Sequence, residues 1–273
     1  MKVSVVQMES GADKARNVAE MLRLLEAAVS NDGTDLAVFP EMAACLTSDG
    51  EVMKSNAESV DGPFVKTLQE AARNHSVNIV LGSFVERSGE SLFNTSLLLS
   101  RSGDIVARYR KMHRFDVTIP NGTSYLESAL LEGGKEIVTG QIDGVMLGLS
   151  ICYDLRFPAL FSKLAHEGAQ VIVLPASFTF QTGADHWEVL VRARAIETQC
   201  YVVAAGQTGS FDGGKYMTFG HSMIVDPWGG IVAQTSNKIG HASASLDFDY
   251  LRAVRERMPV QEHDVLGWRA SNV

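Results

Sequence analysis

Short, uniformly apolar, β-branched runs separated by amphipathic stretches are what most constrain the folding of this chain. VSVVQM from Val3, LAVFPE from Leu36 and NIVLGSF from Asn78 are too continuously apolar for half-exposed strands, so each predicts a strand buried on both faces. Between the first two, Val18, Met21, Leu22, Leu25 and Val29 fall on one stripe of a helix. Before the third, Pro63 opens a helix running through Leu68 towards His75, since proline is tolerated in a first turn.

The middle of the chain reads differently. LFNTSLLLS and RSGDIVARYRK predict two strands joined around Ser102-Gly103-Asp104, and EIVTGQIDGVMLGLSICYD repeats that logic around Asp143-Gly144. Strand-like AQVIVLP, CYVVAAGQ, HSMIVDPWGGIVAQ and HASASLDF follow. A helix is expected from Asp185 to Thr198, where Trp187, Leu190, Val191 and Ala195 share a face. Roughly ten strands and four or five helices in mixed order are best buried as two sheets packed face to face with helices outside. The fold class is therefore α/β, a layered sandwich. No internal repeat, low-complexity tract or Pro/Ser-rich linker divides it.

Composition narrows the function. The chain has 273 residues and a net charge of −8, with no basic block, which argues against nucleic acid as a partner. No apolar run approaches the roughly 20 residues of a membrane span, and the opening MKVSVVQMESG lacks a secretory h-region. Cys45, Cys152 and Cys200 form no CxxC pair, so neither a zinc knuckle nor a disulfide framework is suggested. A cytoplasmic protein with free thiols is the expectation.

Three residues at strand ends are candidates for chemistry. Cys152 follows GVMLGLSI and precedes Tyr153-Asp154, with Pro158 placed to open a helix. A strand-to-helix turn there would aim backbone N–H groups and a helix dipole at the thiol, lowering its pKa and supporting an oxyanion. Taken alone, a buried core thiol is the commoner reading. Glu41 ends LAVFPE, where desolvation would push a carboxylate towards general-base duty, although an exposed strand-end charge is the simpler account. Lys111 closes IVARYRK, either poised to stabilise a carbonyl oxyanion or as part of a solvated basic strand with Arg108 and Arg110. Pairing of Cys152 with His186 or His221 is a rival arrangement. HExxH, GxxxxGK[ST] and GxGxxG patterns are all missing from the sequence. Glu188 and Arg192, at i,i+4, suit a surface ion pair.

The combination and order of these segments add what none carries singly. FPE at 39–41, YRK at 109–111 and ICYDLRFP at 151–158 resemble the three signature segments of the nitrilase superfamily of carbon–nitrogen hydrolases. The resemblance runs from VVQME near the start to DFDYLRAVRERMPV. HWEVLVRARAIETQCYVVAA, from His186, is most similar to the branch that contains deaminated glutathione amidase and omega-amidases.

The resemblance implies a four-layer α-β-β-α sandwich, with a carbon–nitrogen hydrolase domain over 1–251 and a C-terminal tail over 252–273 packing on it or on a partner subunit. It implies Cys152 as nucleophile, Glu41 as general base, Lys111 as stabiliser of the tetrahedral intermediate and Glu127, in TSYLES, as a second glutamate holding Lys111 and substrate. No cofactor or metal is implied. Arg156 matches a position where related carbamoylases hold a substrate carboxylate, a structural ion pair being the alternative. Tyr153 would lend its backbone N–H to the oxyanion. The loop SFTFQTG at 177–183 would form a pocket wall through Phe178 and Thr182. The implied activity is hydrolysis of a linear amide in a small carboxylate-bearing metabolite. N-carbamoyl amino acid hydrolysis is the alternative, ahead of a true nitrilase or an inactive binding relative. A homodimer or higher oligomer is expected.

Overall fold

The computed structural model describes residues 1–118 and 124–265. Its first sheet runs in the order Gly240–Ser245, Lys2–Gln7, Leu36–Val38, Asn78–Val80, Ser91–Leu99, Phe84–Ser88, with Ile105–Arg110 also paired to Ser91–Leu99. The second runs Ile231–Gln234, Met223–Val225, Tyr201–Gly206, Val171–Ala176, Val145–Leu149, Thr139–Ile142. Each sheet holds three adjacent parallel strands: 2–7, 36–38 and 78–80 in the first, and 145–149, 171–176 and 201–206 in the second. Helices make the crossovers, as parallel pairing requires.

Side-chain alternation along the strands builds the layers. In the first sheet Val3, Val5, Leu36, Val38 and Val80 point one way and join Leu147, Leu149, Val171, Val173 and Val203 of the second sheet in one core. Their neighbours Val6, Ala37, Phe39, Ile79 and Leu81 point the other way, onto Met21, Leu24, Leu25, Phe64, Val65 and Leu68 of the helices Lys14–Asp32 and Pro63–His75. The helices Pro158–His166 and Phe180–Thr198 cover the far side of the second sheet through Leu160, Phe161, Leu164, Trp187 and Val191. The result is the α-β-β-α order expected from strands apolar on both faces.

Local chemistry sets the element ends. Asp13 caps Lys14–Asp32 by accepting from the Arg16 N–H, and Gly33 closes it in the left-handed region at φ 65°. Pro63 takes the first turn of its helix. Asp143 and Gly144, at φ 48° and 79°, form the tight turn between Thr139–Ile142 and Val145–Leu149.

Some elements differ from expectation. Seventeen strands lie among the described residues, against the ten anticipated, because several are short hairpin arms. The helix expected from Asp185 begins at Phe180, so the second half of the 177–183 loop is its first turn. Among its opening residues Phe180 is exposed and Thr182 lines the cavity, so they do not continue the apolar stripe, which hid them. Helix Phe248–Arg257 spans the 251/252 boundary, and Arg255 anchors it to the carbonyls of Gln199 and Ala169. Tail residues 266–273 lie outside the described residues. No helix among those described is long and apolar enough to cross a membrane.

Candidate active site

The two βαβ halves bring their strand ends to one place, the usual location of sites in sheets with parallel strands. Glu41 lies three residues after Leu36–Val38, Cys152 three residues after Val145–Leu149, and Lys111 directly follows Ile105–Arg110. All three are buried. They meet, with Glu127, in a cavity of about 520 Å³.

The backbone that delivers Glu41 is tight. Met42, next to it, sits at φ 54° and donates its N–H to Ser83 Oγ at 2.9 Å. Gly82, at φ 78°, lets the two loops meet: a Cβ there would lie 2.0 Å from the Pro40 carbonyl oxygen. From the second sheet, Gln207 Nε2 donates to the Glu41 carbonyl at 2.9 Å and to Ser10 Oγ at 2.8 Å.

Lys111 Nζ donates to Glu41 Oε1 at 2.9 Å and to Glu127 Oε2 at 2.8 Å. Burial works against the ammonium, yet Glu127, Glu41 and Cys152 together hold its pKa well above the ordinary lysine value. Burial also disfavours the Glu127 carboxylate. The Lys111 charge and hydrogen bonds from Lys111, the Phe115 N–H at 2.7 Å and Asn94 outweigh it, so Glu127 titrates below the ordinary value. The reading of Lys111 as part of a solvated basic strand is therefore excluded. Its neighbours Arg108 and Arg110 turn instead to Glu86.

Cys152 opens a 3₁₀ turn, Cys152–Arg156, in the left-handed region at φ 48°. Such a conformation costs a β-carbon residue about 1–3 kcal/mol and persists only where its surroundings hold it. Asp154, fully buried, does the holding. Its Oδ2 accepts from the Ile151 N–H at 2.8 Å and the Tyr109 hydroxyl at 2.7 Å. Its Oδ1 accepts from the His113 N–H at 3.2 Å and lies 2.7 Å from His113 Nδ1. One carboxylate thus ties the cysteine turn to both sides of Lys111.

Glu41 and the Ser177 backbone N–H both lie close enough to the Cys152 thiol to act on its ionisation. Burial pushes the thiol pKa well above its usual range, the Glu41 charge adds to the rise, and Lys111 opposes it. This corrects the expectation of a lowered pKa: the one N–H acting on the thiol comes from Ser177, after Val171–Ala176, and burial and an adjacent carboxylate dominate. The resting group is a neutral thiol beside a base.

Tyr153, Arg156, Phe178 and Thr182 all line the cavity. The Arg156 guanidinium lies 5.4 Å over the Phe178 ring and 3.4 Å from His186 Nδ1. No carboxylate among the described residues pairs with it. His186 and His221 do not line the cavity; His221 Nδ1 instead lies 2.9 Å from the Phe219 carbonyl. Lys215 reaches the cavity from the hairpin of Thr208–Phe211 and Tyr216–Phe219. Glu188 and Arg192 form the surface pair anticipated, at 3.3 Å. No group of three or more His, Cys, Asp or Glu suited to a metal ion occurs among the described residues.

Sequence reasoning missed Asn94, Asp154 and Lys215. Asn94 carried a signal, being an amide inside the apolar run LFNTSLLLS, where asparagine is unfavourable without a partner.

Fold and strand-end constellation together define a hydrolase of carbon–nitrogen bonds other than peptide bonds. The chain belongs to the carbon–nitrogen hydrolase family, whose model matches residues 2–256. It is 40% identical over 267 residues to a deaminated glutathione amidase from Synechocystis sp., covering 96% of this chain and 97% of that one. The Dictyostelium discoideum protein of the same description is 37% identical, covering 97% and 94%. Among solved structures, Saccharomyces cerevisiae Nit3, a member of branch 10 of the nitrilase superfamily, matches with a TM-score of 0.86 at 29% identity, over 95% of this chain and 94% of that one. The C. elegans NitFhit protein matches with a TM-score of 0.88 at 35% identity; this chain covers 64% of that longer one, and 96% of this chain is matched.

Proposed function

We propose that this chain is an amidase that hydrolyses a linear amide of a small, carboxylate-bearing metabolite, of the deaminated glutathione kind, through a Cys152 thioester. The observation that carries this reading is the Cys152 thiol beside Glu41, with Lys111 bound to Glu41 and Glu127, at a cavity that also receives the cations Arg156 and Lys215. Beyond Glu41 and Glu127, both bound to Lys111, no acid among the described residues lines the cavity. Arg156 and Lys215 do, in a chain of net charge −8. A guanidinium with no carboxylate of its own suits a substrate carboxylate.

In this mechanism Glu41 takes the proton from Cys152 Sγ as sulfur attacks the amide carbon. The tetrahedral oxyanion is held by the Lys111 ammonium and the Tyr153 N–H. Glu41 returns the proton to the leaving amine, and the C–N bond breaks to give a thioester. Glu41 then takes a proton from water as the hydroxide adds to the thioester carbon, and the collapse of that intermediate releases the acid and restores the thiol. Glu127 keeps the Lys111 ammonium in place, while Phe178 and Thr182 wall the acyl side. Relatives described as deaminated glutathione amidases support the amide over the N-carbamoyl alternative, which is not favoured.

The same reading takes residues 1–251 as the hydrolase domain with 252–273 as its tail, in a cytoplasmic homo-oligomer. Three buried, unpaired cysteines suit a reducing compartment. Val189 and Ile196, two turns apart and exposed, suit contact with a second copy. Ammonia or amine release across a panel of carboxylate-bearing and neutral amides tests the function. Cys152→Ala should abolish turnover with the fold intact; turnover that survives it would end the nucleophile assignment.

A further inference from the structure

Asn94 stands where no sequence argument placed a functional residue. It lies in Ser91–Leu99, within the first sheet, and is 2% exposed. Its Nδ2 donates to Glu41 Oε1 at 2.9 Å and to Glu127 Oε1 at 3.1 Å. An amide nitrogen carries two hydrogens, and both are spent on the two carboxylates. Its backbone carbonyl accepts the Lys111 N–H at 2.8 Å. Asn94 therefore touches all three charged members of the cluster.

The orientation of this amide is determined by its surroundings. With the amide turned over, Oδ1 would face two carboxylates, which repel an acceptor. In the orientation present, Oδ1 has no partner among the described residues. The arrangement tolerates an unpaired acceptor to keep both N–H groups on the glutamates. A buried acceptor left unpaired is unfavourable, which points to a requirement at the carboxylates.

That requirement is electrostatic. Glu41 and Glu127 share one ammonium, and two carboxylates in one site drive each other towards protonation. Lys111 and Asn94 both bond Glu41 at Oε1, so Oε2 is the oxygen left to take the thiol proton. The titratable groups facing this point are Glu41 from the loop after Leu36–Val38, Lys111 after Ile105–Arg110, Glu127 from the 3₁₀ turn Glu127–Ala129, and Cys152 from the second sheet. Neutral Asn94 supplies donors to both acids without adding a positive charge that would draw the thiol proton away unaided.

We infer that Asn94 is a positioning residue that keeps Glu41 ionised and aimed at Cys152 by bridging the two glutamates. The inference rests on Glu41 as the base, and the test separates the two. Iodoacetamide is the probe, with alkylation of Cys152 followed by mass across about pH 4 to 9, so no knowledge of the natural substrate is needed. The wild-type rate should stay level over the middle of the range and fall only on an acid limb where Glu41 is protonated, and Glu41→Gln should replace the level region with a rate that climbs steadily with pH, as for a thiol ionising unaided. Asn94→Ala should move the limb up by about one pH unit and slow the neutral rate about tenfold. Asn94→Asp, which keeps the shape and adds a third acid, should move it further in the same direction. A limb unmoved in either folded variant, or a rate lowered equally at every pH, would overturn the role of Asn94. A level region that survives Glu41→Gln would overturn the base assignment itself, and this inference with it.

Discussion

Asp154→Asn is the sharpest test of how the nucleophile is seated. The substitution preserves shape and leaves no cavity, so its effect reports hydrogen bonding alone. The carboxylate takes part in four contacts, with Ile151 N, Tyr109 Oη, His113 N and His113 Nδ1. An amide accepts only through its oxygen, so one pair of contacts loses its acceptor. If the nitrogen faces His113, the ring can turn Nδ1 into an acceptor, but the His113 N–H is orphaned. If it faces the other side, the fully buried Ile151 N–H is orphaned. Either way one donor is stranded at about 1–3 kcal/mol, and the surviving bonds lose their charge assistance, worth about 1 kcal/mol more. A loss of about 3 kcal/mol corresponds to a Tm lowered by roughly 6–12 °C. Because the same carboxylate holds Cys152 at φ 48°, iodoacetamide labelling at Cys152 should slow about tenfold or more. Urea unfolding and thermal melts measure the first effect and mass-resolved labelling the second. A variant within about 1 kcal/mol of wild type that labels normally would refute the seating argument.

Glu127 titrates below its ordinary value of 4.5, so the stability it contributes is present above pH 4.5 and is lost as pH falls through the lower folded-state value. Glu127→Gln should therefore be less stable at neutral pH and show a shallower loss on acidification below pH 4.5, read by urea unfolding at stepped pH. Arg156→Ala should raise KM for a carboxylate-bearing amide by roughly 10- to 100-fold and leave a neutral amide little changed; equal effects on both would remove the clamp. Gly82→Ala forces a Cβ to 2.0 Å from the Pro40 oxygen at φ 78°, so it should lower stability by at least about 2 kcal/mol and displace Glu41. A stable, fully active Gly82→Ala protein would show that the loop has more room than its contacts imply.

The layered architecture was legible because burial on both faces leaves a local mark. Val3, Leu36 and Val171 each lie in runs with no polar face, and such runs need cover above and below. The arms Ser124–Leu126, Thr208–Phe211 and Tyr216–Phe219 left no such mark, being largely half exposed and mixed in polarity, yet they contribute to the wall of the cavity. Lys215 went unnoticed for that reason. Asp154 was in view within ICYD, but nothing nearby in sequence says that its carboxylate reaches Tyr109, 45 residues earlier.

Strand-end placement of Glu41, Lys111 and Cys152 was written in the sequence, because apolar periodicity stops where each begins. Their chemistry was not. Local context left Cys152 between a buried core thiol and one acidified by a turn, and favoured a solvated lysine; packing made the thiol neutral and the lysine a buried cation shared by two carboxylates. Hydrophobic pattern is a short-range property that reports which face of an element is buried. Ionisation depends on which charges meet out of water, and here Lys111 and Glu41, separated by 70 residues, are brought to 2.9 Å only by the pairing of strands within the first sheet.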